Sequence, residues 1–200
     1  MKRSLALQVL ASVPREDYLS PAGTKVLAMP VADLLIAIAQ VGVALAGFSG
    51  LIAAIRTAAP EGWHPRDIWS LSWMLGASIG ALVLSLLPLW LSLFGGPDEI
   101  VYRIASAVAA LYIGTLVCVL GWSGHRLTAA GFPPRVPYFP YAIVLLLGIS
   151  ATAAAVAALG WLPGREVAVY VGSLIALLMA SVLVLAVFLI LLARLTQQKP

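Results

Sequence analysis

The chain has 200 residues, of which 62% are hydrophobic and only 10% charged, with a formal net charge of +4, a mean hydropathy of +1.03 and a pI near 9.5. An average soluble domain is roughly 45–50% apolar and roughly 25% charged, and one of this length still exposes about a quarter to a third of its chain's surface, so a water-soluble fold is excluded and lipid must be part of the solvent. The basic residues are scattered among the connections between apolar runs, where they anchor helices at headgroups, and no Lys/Arg block of nucleic-acid type occurs.

Residues 1–30 form an N-terminal tail. Met1-Lys2-Arg3 followed by Leu5 to Val13 has the outline of a signal peptide, but the apolar part is only about nine residues and no small-x-small cleavage site follows before Pro14. The segment is therefore read as retained. Leu5, Val9 and Val13 recur at helical spacing beside basic residues, which fits a short interfacial helix; the alternative is a frayed tail.

A transmembrane helical domain follows over 31–193. Its spans fall near 31–55, 68–94, 104–122, 138–162 and 167–193, each long enough for a hydrocarbon core that needs about 20 helical residues. Period-2 alternation is absent and lipid tolerates no unpaired backbone, so the expected fold is an all-α polytopic bundle of about five spans. The connections carry Ala59-Pro60-Glu61-Gly62, His64-Pro65, Gly95-Gly96-Pro97-Asp98, Phe132-Pro133-Pro134 and Leu162-Pro163-Gly164. Trp63, Trp69, Trp90, Trp122, Tyr138, Tyr141, Trp161 and Tyr170 lie near the ends of runs, as interfacial belt residues do. Residues 194–200 are a C-terminal tail.

The first span carries the strongest polar constellation. Asp33, Gln40 and Gly47 are seven apart and share a helix face, with Ala44 close by. An intramembrane ionisable group is by default a functional hypothesis, yet Asp33 stands near the helix start, where a carboxylate also serves as a cap or dipole partner. Gln40, deeper in the run, either lines a hydrated path or bonds a neighbouring helix. The second span repeats Ser78, Ser85 and Ser92 at the same interval, giving a longitudinal stripe that suits a helix contact or a polar lining. Pro88 removes an amide donor from this helix and releases the carbonyl of Leu84 to a neighbour, water or ion.

Small residues at every fourth position predict close helix packing. Gly42, Ala46, Gly50 and Ala54 form such a ridge in the first span, Ser106, Ala110, Gly114 and Cys118 in the third, and Gly172, Ala176 and Ala180 in the fifth, with a small-residue run from Gly148 in the fourth. The second span reads as the exception. Cys118, the single cysteine, is expected to be a small buried apolar side chain. Arg103 is read as an anchor that snorkels to the interface, with pairing to Asp33 as the alternative.

Basic residues weighted within about 15–20 residues of the spans favour Arg56, Arg66, Arg126, Arg135, Arg194 and Lys199 on the cytoplasmic side over Arg15, Lys25, Arg103 and Arg165. This places the N-terminus outside and the C-terminus in the cytoplasm. No catalytic motif, cofactor signature or metal-ligand spacing is present, because His64 and His125 stand in separate connections and no phosphate-cradling loop occurs. The expectation is therefore a non-enzyme without cofactor; an enzyme built on His64, Arg66 and Asp67 is the minor alternative.

The stretch Gln40-Val41-Gly42-Val43-Ala44-Leu45-Ala46-Gly47-Phe48-Ser49-Gly50-Leu51-Ile52-Ala53-Ala54, with Gly76-Ala77-Ser78-Ile79-Gly80-Ala81-Leu82 and Tyr102-Arg103-Ile104-Ala105-Ser106, resembles a group of small uncharacterised bacterial multi-span inner-membrane proteins. The resemblance covers the first 120 or so residues and implies a bacterial inner-membrane location. It brings no activity. Together these features favour a self-associating channel or transport module for a small ion or solute, with the lipid bilayer as its first partner. The alternative is a noncatalytic scaffold or accessory subunit.

Overall fold

The computed structural model describes residues 31–57, 64–95, 97–133, 136 and 138–197, with side chains described for these except Arg56 and 191–197. The expected interfacial helix in the N-terminal tail, the turn at 58–63 with Trp63, and Gly96, Pro134, Arg135 and Lys199 lie outside the described residues. By contact the chain divides into Met1–Asp33 and Leu34–Pro200. Of the first unit only the opening turn of a helix is described, and the packing below concerns the second.

Among the described residues there are five helices and no strands: α1 (Val31–Thr57), α2 (Pro65–Ser92), α3 (Asp98–Ala129), α4 (Phe139–Ala158) and α5 (Glu166–Gln197). All five are long and apolar enough to cross a bilayer. Side chains at their midpoints are apolar and exposed, among them Val83, Leu111 and Leu145. That is how a helix presents itself to lipid tails, so the chain is a multi-pass integral membrane protein.

The spans expected from sequence recur with shifted ends. The largest shift is in α3, whose 32 residues reach about 48 Å, well beyond a hydrocarbon core of about 30 Å. Polar residues at both its ends stay helical because the helix satisfies its own backbone in water as in lipid. Two helices stop on glycine. Gly131 (φ +88°) and Gly160 (φ +75°) take the left-handed conformation just past α3 and α4. In each case the glycine amide donates to the carbonyl three residues back and the next amide to the carbonyl five back, Phe132 to Leu127 and Trp161 to Val156. This closure ends α4 at Ala158, short of the Pro163 break read from sequence.

Helix α2 is the shared neighbour of α1, α3 and α5. Its contacts with α3 run from Trp69–Gly124 to Gly80–Tyr112, and those with α5 from Ser78–Ser181 to Leu84–Tyr170, so both partners are antiparallel to α2 and parallel to each other. The buried core gathers Trp73, Met74, Ala77, Ala81 and Leu84 of α2 with Ala109 and Ile113 of α3, Leu147 of α4, and Leu174 and Leu177 of α5. Trp90, Trp122, Tyr138, Tyr141 and Trp161 are exposed near helix ends, as belt residues should be. Tyr170 departs from that reading: it is fully buried.

Candidate functional site

Helix α1 puts its polar stripe outward. Gln40, Ala44 and Gly47 are exposed, whereas Gly42 is buried, and a Cβ built on it would lie 3.0 Å from the Ser78 carbonyl oxygen and 3.2 Å from the Leu82 nitrogen. Two residues at about 100° each put Gln40 roughly 200° from Gly42, on the far side of the helix from α2. Asp33 is exposed in the first turn.

The serines of α2 occupy a different place. Ser78 and Ser85 are fully buried and Ser92 is exposed at the helix end. The Ser78 hydroxyl donates to the Met74 carbonyl at 2.7 Å and lies 2.7 Å from the Ser181 hydroxyl, whose single proton is shared between Ser78 and the same carbonyl at 3.2 Å. Ser85 and Ser92 turn back on their own helix, donating to Leu82 and Leu89. The structure therefore brings Ser78 together with Ser181 of α5 and does not bring it to Gln40 or Gly47.

Small-residue ridges pack only in part. A four-residue step advances about 400°, so each step rotates the ridge about 40° away from its starting contact. Gly42 is packed, Ala46 half-buried and Gly50 exposed, with nothing within 4 Å of a Cβ built on Gly50. Ser106 is fully buried, Ala110 half-buried, Gly114 open and Cys118 exposed. Gly50 and Gly114 thus make no tight contact within the chain, and Cys118, expected to be buried, faces outward. The second span, read as lacking a ridge, supplies the closest approaches. Cβ atoms on Gly76 and Gly80 would stand 2.7 Å from Leu116 Cδ1 and 2.2 Å from the Tyr112 ring. The Tyr112 hydroxyl donates to the Gly76 carbonyl at 2.7 Å. Gly76 and Gly80 are four apart, and that signal was legible beside the serine stripe.

At the other end of the same contact, Trp69 covers Gly124 and donates its indole N–H to the Leu120 carbonyl at 2.8 Å. Arg66 is buried there. It donates from Nε to the Phe132 carbonyl at 2.7 Å, and from one terminal nitrogen to Thr128 Oγ1 at 2.6 Å and the Gly124 carbonyl at 3.3 Å. Its guanidinium lies 5.2 Å from the Trp69 ring centre. A cation on the last turn of α3 meets the negative end of the helix. His64 caps α2 by accepting the Arg66 amide on Nδ1 and packs edge-on against Phe132. His64 and Arg66 thus tie the α2 start to the α3 end, and Asp67 is buried beside them.

Arg103 forms an ion pair with Glu99, one helical turn before it, and its guanidinium rests against Gly160 at the end of α4. Tyr170 reaches across from α5 and donates its hydroxyl to the Leu84 carbonyl, the acceptor that Pro88 releases. Of the three partners open to that carbonyl, the structure supplies the neighbouring helix. Among the described residues no group of His, Cys, Asp and Glu is arranged to hold a metal ion. No family model, curated protein or solved structure matches the chain.

Proposed function

We propose that this membrane protein associates with copies of itself through the Gln40–Ala44–Gly47 face of α1, and that the assembly passes a small cation along the axis so formed. The observation that carries the reading is the exposure of Gln40, on the side of α1 away from Gly42. Nine residues from the helix start correspond to about 14 Å, close to the middle of the hydrocarbon core. An amide there has two donor hydrogens and an acceptor oxygen to satisfy, and lipid tails offer nothing. A second copy, or water on an axis, supplies partners, and the small Ala44 and Gly47 let another helix approach. Within the protomer the Ser78, Ser181 and Tyr170 hydroxyls are occupied, while those of Ser106 and Ser150 are buried without a partner among the described residues; the exposure of Gln40 supports a path between copies rather than along the Ser78–Ser181 contact. Asp33, seven residues before Gln40, supplies negative charge at the mouth. The protein works without catalysis or cofactor, in a bacterial inner membrane with its N-terminus outside.

The same internal pairing of hydroxyls favours a second reading, a noncatalytic scaffold in which Gln40 only bonds its counterpart. Mass in mild detergent and cation flux into liposomes divide the two. Oligomers with flux support the transport reading, oligomers passing none of several cations support the scaffold, and a monomer under all conditions rejects the assembly.

A further inference from the structure

Where α3 ends and α4 begins, a cavity of about 360 Å³ is lined by Arg66, Trp69, His125, Thr128, Tyr138 and Tyr141, among others. That volume lies within the range of small-molecule sites, about 300–1,000 Å³. No Asp or Glu lines it among the described residues. Tyr138 and Tyr141 are exposed, as rings at the headgroup level are.

Arg66 brings a buried charge to this cavity. Only 6% of its surface is exposed, and its side-chain bonds all go to neutral acceptors: Nε to the Phe132 carbonyl, and Nη2 to the Gly124 carbonyl and Thr128 Oγ1. A guanidinium has five N–H donors, so these bonds leave the pair on Nη1. That nitrogen donates to no described residue, yet unlike Nε of Arg103 it is not sealed from the surroundings. A buried charge bonded to neutral groups alone is costly and calls for a counter-ion. Carbonyls at the α3 end would repel an anion, but Arg66 occupies those of Gly124 and Phe132, and the Trp69 indole occupies that of Leu120. At the other helix end, α4 starts with no acidic residue in its first turn and no side-chain cap from Tyr138 to balance the positive end of its dipole.

We infer that this cavity binds a phosphate group, with Nη1 of Arg66 and the His125 imidazole as its donors. A phosphate presents several acceptor oxygens and accepts from both side chains at once, and a planar guanidinium matches it in shape and charge. A chloride ion would leave most of the volume empty. The same chemistry is carried by the phosphodiester of an anionic lipid headgroup and by free phosphate, and the site is independent of the α1 face.

The full-length protein in dodecyl maltoside, a detergent without phosphate, is titrated with inorganic phosphate against sodium chloride of equal ionic strength. In parallel it is titrated with short-chain phosphatidylglycerol against diacylglycerol of the same chains, both series being read by calorimetry and thermal unfolding. Inorganic phosphate that binds the parent, and binds Arg66→Gln about tenfold more weakly, identifies the site with free phosphate. Phosphatidylglycerol that binds where inorganic phosphate and diacylglycerol do not, with the same loss in Arg66→Gln, identifies it with the lipid. Gly121→Leu carries the test if Arg66→Gln does not fold. Gly121 lines the cavity and a Cβ built on it meets no atom within 4 Å, so leucine fills the space without a clash and weakens either ligand severalfold. The inference is overturned by a parent that binds neither phosphate source, by diacylglycerol that binds as tightly as phosphatidylglycerol, or by affinities equal in parent and Gly121→Leu.

Discussion

The hydroxyl of Tyr170 donates to the carbonyl oxygen of Leu84, the acceptor that Pro88 deprives of its amide four residues on. A proline inside a membrane helix is tolerated when a neighbour satisfies the freed carbonyl, and here the neighbour is an antiparallel helix whose side chain is fully buried. The bond fixes the height of α5 against α2. It does so one to two turns from the Ser78–Ser181 contact, so the two helices are pinned at two levels by polar groups that water does not reach.

Tyr170→Phe is expected to lower unfolding stability in detergent by about 1–2 kcal/mol, toward the upper end for polar contacts between membrane helices, because the Leu84 carbonyl has no amide to fall back on. Pro88→Ala restores that amide. In the Pro88→Ala background the cost of Tyr170→Phe should shrink by at least about 0.5 kcal/mol, a coupling that a double-mutant cycle measures. Strictly additive effects would show that the tyrosine acts through packing alone.

The glycines of α2 separate tight contacts from open ones. Gly80→Ala drives a methyl group to 2.2 Å from a Tyr112 ring that its own bond to the Gly76 carbonyl holds in place. The expected loss is about 1–3 kcal/mol, the usual range for overpacking. Gly50→Ala and Gly114→Ala meet no atom within 4 Å, and for the isolated protomer they should be neutral or stabilising by up to about 1 kcal/mol, the gain of alanine over glycine in a helix. Thermal unfolding of the three variants under one detergent condition checks the order. Equal losses at Gly50 and Gly80 would contradict the packing described.

Arg66 makes a sharper test of the α3 terminus. Its three bonds come from two nitrogens held in one plane, and a lysine ammonium cannot reach the Phe132 carbonyl and Thr128 together. Arg66→Lys should therefore expose the last turn of α3 and cost about 1.5–3 kcal/mol, the range of a hydrogen bond to a charged group. Hydrogen exchange of the amides from Leu127 to Phe132 should quicken in Arg66→Lys, with less change in Thr128→Ala. Exchange in this segment that matches the parent would mean that Gly131 and the helix itself suffice.

Span number, helical class and the freed Leu84 carbonyl were legible because composition and proline act locally. What could not be read was azimuth. Tyr170 looks like a belt residue from its place near a span's end, yet α5 turns it inward, and only the tertiary partner Leu84 explains its burial. The ridges of α1 and α3 leave the contact within the chain by their second step, at Gly50 and Gly114, because a row that rotates about 40° per step diverges from a straight neighbouring helix. The Gly76–Gly80 pair was present in the sequence but overshadowed by the serines beside it.

The assembly reading turns on Gln40, and its side chain distinguishes a bond between copies from the lining of a path. Gln40→Leu nearly keeps the size of the residue and removes every hydrogen-bonding atom of the side chain, at an exposed position of α1. If Gln40 bonds its counterpart, the oligomer should dissociate at lower detergent concentrations than the parent, while protomer unfolding stays within about 0.5 kcal/mol, as for substitutions away from packed sites. If Gln40 lines a wetted axis, the oligomer persists and cation flux into liposomes falls, because an apolar ring at mid-membrane dewets. Asp33→Asn removes charge at nearly constant shape, and on the transport reading it reduces cation flux without changing oligomer mass. The measurements are light scattering in mild detergent and flux through reconstituted vesicles, made on the parent and both variants. Dissociation in Gln40→Leu from a parent that passes no ion assigns the face to a scaffold. Unchanged mass and unchanged flux in both variants would remove this face of α1 from the function altogether.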